Sequence, residues 1–177
     1  MNLVRKVAPA DPLVSREDLK LHLRVDGDDE NSLIDGLFAA AMSHIDGPRG
    51  VLGRCIQPQT WAFETEAWSG FLRMPFTGVS QVSASVQVDG DRVSVALTSR
   101  SCGVWTEVRL DDVVTGQVSV EVEASTPDDA WPAIIAAVTL LVGHWYENRE
   151  AVVTGTIATT LPLGVERLLS PLKVKWI

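Results

Sequence analysis

Cysteine, histidine and tyrosine are scarce in this chain of 177 residues, which holds two, three and one of them respectively. Cys55 and Cys102 are far apart and neither lies in a CxxC pair, so neither a zinc site nor a disulfide framework is expected. His22, His44 and His144 lack the HExxH or paired-ligand spacing that a catalytic metal needs. Positive charge is also short: 15 Lys plus Arg stand against 23 Asp plus Glu, a formal net charge of −8. That balance removes the electrostatic basis for gripping nucleic acid, since neutralising phosphates takes clustered cations. No apolar run follows Arg5 and Lys6, so no signal peptide is expected and synthesis in the cytoplasm is the consequence. The longest uncharged stretch, Ala130 to Tyr146, is interrupted by Pro132, Gly143 and His144 and falls short of the roughly 20 residues a bilayer span requires. No membrane association is expected.

Catalytic signatures are equally thin. Gly47, Gly50 and Gly53 form GxxGxxG without a following GK[ST], and no GxSxG elbow occurs. Asp26-Gly27-Asp28-Asp29-Glu30-Asn31 begins like a calcium loop, but its sixth position is Asn31 and its twelfth Leu37. His144 and Glu147 make a single HxxE, whereas a di-iron bundle needs ExxH twice with further glutamates. Glu64, Glu66, Glu121 and Glu123 fall at strand spacing on a wet face, where nothing raises a carboxyl pKa for acid work. The reading is therefore no enzyme, no cofactor and no metal, with a small hydrolase using those glutamates as the alternative.

What is present is alternation of two periods. Ser15 opens a capping-box-like Ser-Arg-Glu-Asp, predicting a short helix to about Val25. Asp29 is read as the N-cap of a second helix to Ile45, with an apolar stripe of Leu33, Ile34, Leu37, Phe38, Ala41 and Ile45. From Gln57 to about Glu123 the period falls to two, as in Val82 to Val88 and Val118 to Glu123, and Asp89-Gly90 marks a hairpin. Five or six antiparallel strands are expected there. A third helix follows Thr126-Pro127-Asp128-Asp129 and runs to about Glu150. Residues 151 to 160 read as extended, and Val165 to Leu169 as a last short helix before Pro171. The expected fold class is α+β: a small helical bundle of three main helices plus a short C-terminal one, carrying an antiparallel sheet or sandwich over 57–124. All of it is read as one domain: a helix pair at 15–50, the β region, the long helix at 128–150 and an arm at 151–177.

The third helix is apolar around most of its circumference, and such a helix must be covered on more than one side. The inserted sheet or a second subunit could supply that cover. Ile134, Val138, Leu141, Trp145 and Tyr146 are the candidate subunit contacts. Residues 151 to 177 hold Arg167, Lys173 and Lys175 against Glu166, net +2, so the remainder carries −10. This basic apolar tail could fold back or be steered to an acidic partner. Trp176 at its end has no neighbouring core in sequence, and aromatic anchors of that kind suit an interface.

Leu19 to Asp46, Gln57-Pro58-Gln59-Thr60-Trp61, the HWYENRE run at 144–150 and LPLGVERLL at 161–169 together resemble the head-to-tail connector (adaptor) proteins of long-tailed phages and phage-like gene transfer agents. The resemblance implies a structural protein, made in the host cytoplasm and built into the particle at the head-tail junction. It implies a homo-oligomeric ring, typically twelve-fold, beneath the portal protein, which presents a platform to a stopper or other tail-completion protein while DNA passes the lumen without specific binding. On that footing Leu161, Pro162, Leu163, Val165, Leu168, Leu169, Leu172, Lys173, Lys175 and Trp176 are candidates for a portal-docking arm. A stopper-type binding module is the competing structural role.

Overall fold

The computed structural model describes residues 3–66, 68, 70–88, 90–148 and 162–175. Among these the chain is mixed α and β, with four α-helices and two antiparallel sheets. Backbone contacts divide it into two compact units. One comprises Met1–Ala10, Gly53–Pro127 and Val174–Ile177; the other comprises Asp11–Leu52 and Asp128–Lys173.

The first unit is built from strands β1 (Leu3–Val7), β2 (Gln59–Thr65), β3 (Phe71–Met74), β4 (Val79–Val88), β5 (Asp91–Val95), β6 (Leu97–Ser101), β7 (Thr106–Leu110) and β8 (Val118–Ala124). One sheet has the order β1-β2-β8-β4-β5 and the other β3-β7-β6. Period-two patterning determines which face is buried: Val118, Val120, Val122 and Ala124 of β8 are fully buried while Glu121 and Glu123 between them are not. Across the ladder Val120 stands opposite Phe63 on one side and Ala84 on the other, so the apolar rows of three strands coincide. Met74 and Val108 of the second sheet join the same buried cluster, closing a core between the two sheets. Trp61 tilts against Phe76 with ring centroids 6.0 Å apart, and its indole N–H donates to buried Gln59 Oε1 at 3.0 Å. The expected hairpin is present: Val88 pairs with Asp91, and Gly90 has φ of 95°. Strand β1 lies outside the sequence expectation, because Leu-Val-Arg-Lys-Val carries too little alternation to signal a strand that only pairing with β2 creates. Within 57–124 seven strands, β2 to β8, stand where five or six were expected.

The second unit is helical. α1 (Arg16–Leu23) starts where expected, with Ser15 Oγ accepting from the Asp18 backbone N–H at 3.1 Å. Arg24 ends it in the left-handed region at φ 56°, its N–H directed to the Leu21 carbonyl, so the helix stops before Val25. α2 (Asn31–Ile45) begins two residues later than the N-cap assigned to Asp29; Glu30 occupies the cap and makes no side-chain capping bond. α3 (Trp131–Glu147) follows a short 3-10 turn at Asp128–Ala130, and Pro132 occupies its first turn, where a missing N–H costs nothing. α4 (Leu163–Leu169) starts two residues before the expected Val165 and runs into a 3-10 turn at Ser170–Leu172. α3 packs on α1, α2 and α4, with Ile34, Ala41, Ile45, Ile134, Val138, Leu141, Val165 and Leu169 fully buried. The expectation of an extended segment at 151–160 lies outside the described residues.

Candidate docking surfaces

In the helical unit the buried and exposed sides of α3 separate cleanly. Ile134, Val138 and Leu141, expected at a subunit contact, are at 0% exposure within the single chain and serve its own core. Trp145 and Tyr146 are half-buried. Tyr146 donates its hydroxyl to Glu30, and Trp145 meets His44 edge-on with centroids 6.4 Å apart. The stripe that α3 leaves uncovered is Pro132, Ala136, Leu140 and His144, at helical spacing. Leu140 there is 44% exposed, and Leu163 at the start of α4 is 66% exposed.

The C-terminal candidates divide in the same way. Val165 and Leu169 are buried, because α4 lays one face on α3, whereas Pro162, Leu168, Leu172 and Lys173 are half-buried and Lys175 is exposed. Part of the tail therefore folds back onto its own unit, the first of the two behaviours its composition allowed. Leu161 and Trp176 lie outside the described residues. Between α1, α3 and α4 runs a groove of about 340 Å³, lined by His22, Leu140, His144, Glu147 and Val165 among others. Among the described residues no three His, Cys, Asp or Glu side chains are grouped to hold a metal ion. No helix among the described residues is long and apolar enough to cross a membrane.

In the β-rich unit one of the four glutamates considered for catalysis, Glu64, is held by cations. Glu64 accepts from Arg92 at 3.3 Å and from Lys6 at 3.4 Å, and these cations hold its carboxyl below the usual range, Arg92 contributing most. A general acid needs the opposite shift. Glu121 and Glu123 are half-buried and Glu66 is exposed.

A surface that motif reading does not find lies on the outer face of the β3-β7-β6 sheet. Register places Arg73, Glu107 and Arg100 in one cross-strand row, and Phe71, Arg109 and Thr98 in the next. Glu107 receives the Arg109 Nε–H at 3.0 Å and lies 4.0 Å from Arg73 Nε. The Arg73 guanidinium sits 5.4 Å from the Phe71 ring centroid and 5.3 Å from that of Trp105, and Arg109 covers Phe71 at 5.4 Å. A groove of about 210 Å³ opens among Thr98, Arg100, Glu107 and Arg109. The local signal is only the alternation in Phe71-Leu72-Arg73 and Glu107-Val108-Arg109; the strand order that unites them is tertiary.

Two of the three comparisons with known proteins return nothing: no family model matches this chain, and no curated protein does. Among solved structures, the fold is similar to that of a chain in the neck of an empty GTA particle computed with C6 symmetry. The TM-score is 0.74 at 17% identity, covering 100% of this chain and 97% of that one. At that identity the likeness is one of fold.

Proposed function

We propose that this chain is a structural head-to-tail connector: a subunit of a ring beneath the portal that receives a stopper or other tail-completion protein and leaves a lumen for DNA. The observation that carries this reading is the end-to-end fold likeness to a chain from a particle neck, which spans both units and not a common motif. The six-fold symmetry of that neck is compatible with the twelve subunits expected of such a ring. The uncovered apolar positions give further support, since large apolar side chains left in water at Leu140 and Leu163 suit a surface covered on assembly. In this reading Leu140 lies on the side of α3 turned to a neighbouring subunit, while Ile134, Val138 and Leu141 hold the helix from within and the half-buried Trp145 and Tyr146 meet His44 and Glu30 of their own chain. Pro162, Leu163, Leu168, Leu172, Lys173 and Lys175, with Leu161 and Trp176, form the portal-facing segment, while Val165 and Leu169 anchor it. The net +2 of residues 151 to 177 would be steered to an acidic portal surface.

Native mass measurement of the full chain, alone and mixed with purified portal rings, tests this. The expected result is a complex with about twelve subunits per portal, weakened severalfold by L163S/L168S/K173E/K175E; such a loss corresponds to about 1 kcal/mol. Absence of any portal complex would overturn the proposal. Binding of wild type and variant alike would remove the C-terminal segment from it. Imaging of assembled particles separates connector from stopper by the layer the chain occupies.

A further inference from the structure

The two units differ in charge in a way that the net value hides. The helical unit has seven basic residues against fourteen acidic, net −7, and the β-rich unit eight against nine, net −1. Within the nearly neutral β-rich unit, the outer face of β3-β7-β6 gathers Arg73, Arg100 and Arg109 around one carboxylate, Glu107. Arg73 and Arg109 have side chains 59% and 60% exposed, against 12% for Glu107. Arg109 donates its Nε–H to Glu107 and the Arg73 Nε lies 4.0 Å from the same carboxylate, and among the described residues neither guanidinium has a hydrogen bond from its terminal amino groups. Arg73 lies over the Phe71 and Trp105 rings and Arg109 over Phe71, contacts that restrict both guanidinium groups and reduce the side-chain freedom lost when a carboxylate takes their terminal N–H groups. Phe71, 44% exposed, adds an apolar anchor beside the forks.

We propose that this arginine-aromatic face docks on the acidic helical unit of a second copy, at the exposed turn Asp26–Asp29. The proposal rests on the ring reading and specifies its subunit contact. Asp26, Asp28 and Asp29 are all exposed, and with Glu30 they form the densest run of negative charge in the chain. Such a contact joins unlike surfaces of identical chains, the heterologous arrangement that generates a ring when its rotation closes. A second copy fits better than a nucleic-acid backbone: the face offers a surplus of only two positive charges, and the rest of a molecule of net −8 repels phosphate.

The test is a charge exchange on the full chain, read by sedimentation velocity at low and high salt. Wild type should self-associate at low salt. R73E/R109E alone and D26K/D29K alone should each weaken association at least about tenfold, a step of about 1.4 kcal/mol, while an equimolar mixture of the two restores it because opposite faces are then complementary. R73Q/R109Q serves where the reversal disturbs folding, with circular dichroism as the check, and should give an intermediate loss. Association unchanged by these substitutions, or no rescue in the mixture, overturns the contact while leaving a ring made by other surfaces intact. A wild type that stays monomeric at low salt and high concentration overturns it too, and the portal measurement then decides the ring separately. Retention of a short DNA duplex by wild type, lost in R73E/R109E, overturns it in favour of a nucleic-acid partner.

Discussion

The β-rich unit and the helical unit solve the burial problem differently. The first closes its apolar rows between two sheets, with Phe76, Met74, Val108 and Val120 all at 0% exposure, and turns an ordered charged face outward. The second has the longer apolar helix and the larger charge, and it leaves Leu140 and Leu163 in water next to fully buried neighbours. A strand of period two can bury one row and leave the other wet, as β8 does, although Val93 on β5 and Phe71 on β3 stay about half exposed; a helix apolar around most of its circumference needs more neighbours than α1, α2 and α4 supply. The contrast teaches where to look for partners: on α3 and α4 for apolar cover, and on β3-β7-β6 for charge.

The largest effects should come from the two cores. Phe76→Ala is expected to destabilise by about 3–5 kcal/mol and Leu141→Ala by about 2–5 kcal/mol, read by urea unfolding. If Leu141→Ala were neutral, α3 would not be anchored in its own unit and the distinction drawn above would collapse. Smaller, and of backbone origin, are two glycine tests. At Gly78, with φ of 64°, an added Cβ would meet the Ser125 carbonyl oxygen, and Gly78→Ala should cost more than about 1 kcal/mol. At Gly50 the Cβ would meet the Ile45 and Asp46 carbonyl oxygens, and Gly50→Ala should cost about 1–3 kcal/mol by the same measurement.

Leu140→Ser sharpens the comparison from the other side. Its effect on unfolding should stay within about 0.5 kcal/mol, since the side chain is already half in water, while binding to portal rings weakens. A stability loss as large as that of Leu141→Ala would mean the exposed stripe is core after all.

The smallest expected effect is on pH dependence. Asp35 accepts from the Nε and Nη2 groups of Arg16, at 2.8 and 2.6 Å, and this pairing lowers its pKa; Glu64 is lowered by Arg92 and Lys6. A carboxyl whose folded pKa is depressed contributes stability that is present above its ordinary range and lost as pH falls through the depressed value. Asp35→Asn and Glu64→Gln should therefore flatten the acid limb of a melting-temperature profile below about pH 4 and leave the profile near neutrality almost unchanged. Equal flattening by both would show that neither unit depends more on its surface charge than the other.

Legibility tracked the range of the interactions. The Ser15 cap, the end of α2 at Ile45, the Asp89-Gly90 hairpin and the alternating β8 are encoded within a few residues of themselves, and the sequence reading located them. Strand β1 escapes a local reading because its strand character comes from pairing with β2, fifty-eight residues on where Val4 stands opposite Ala62. For α3 the apolar stripe was visible, but not which part of it the chain would bury. Ile134 and Leu140 are equally apolar in sequence, and only packing against the other helices separates them.

By itself, the sequence determined that this is an acidic, mixed α and β chain with period-two strands between helical segments, because those patterns follow from backbone geometry and local capping. Only the tertiary structure decided that Arg73, Arg100 and Arg109 share one face and that Leu140 remains outside. Both depend on strand order and helix neighbours, which bring together residues tens of positions apart at an entropic cost that only the assembled core offsets.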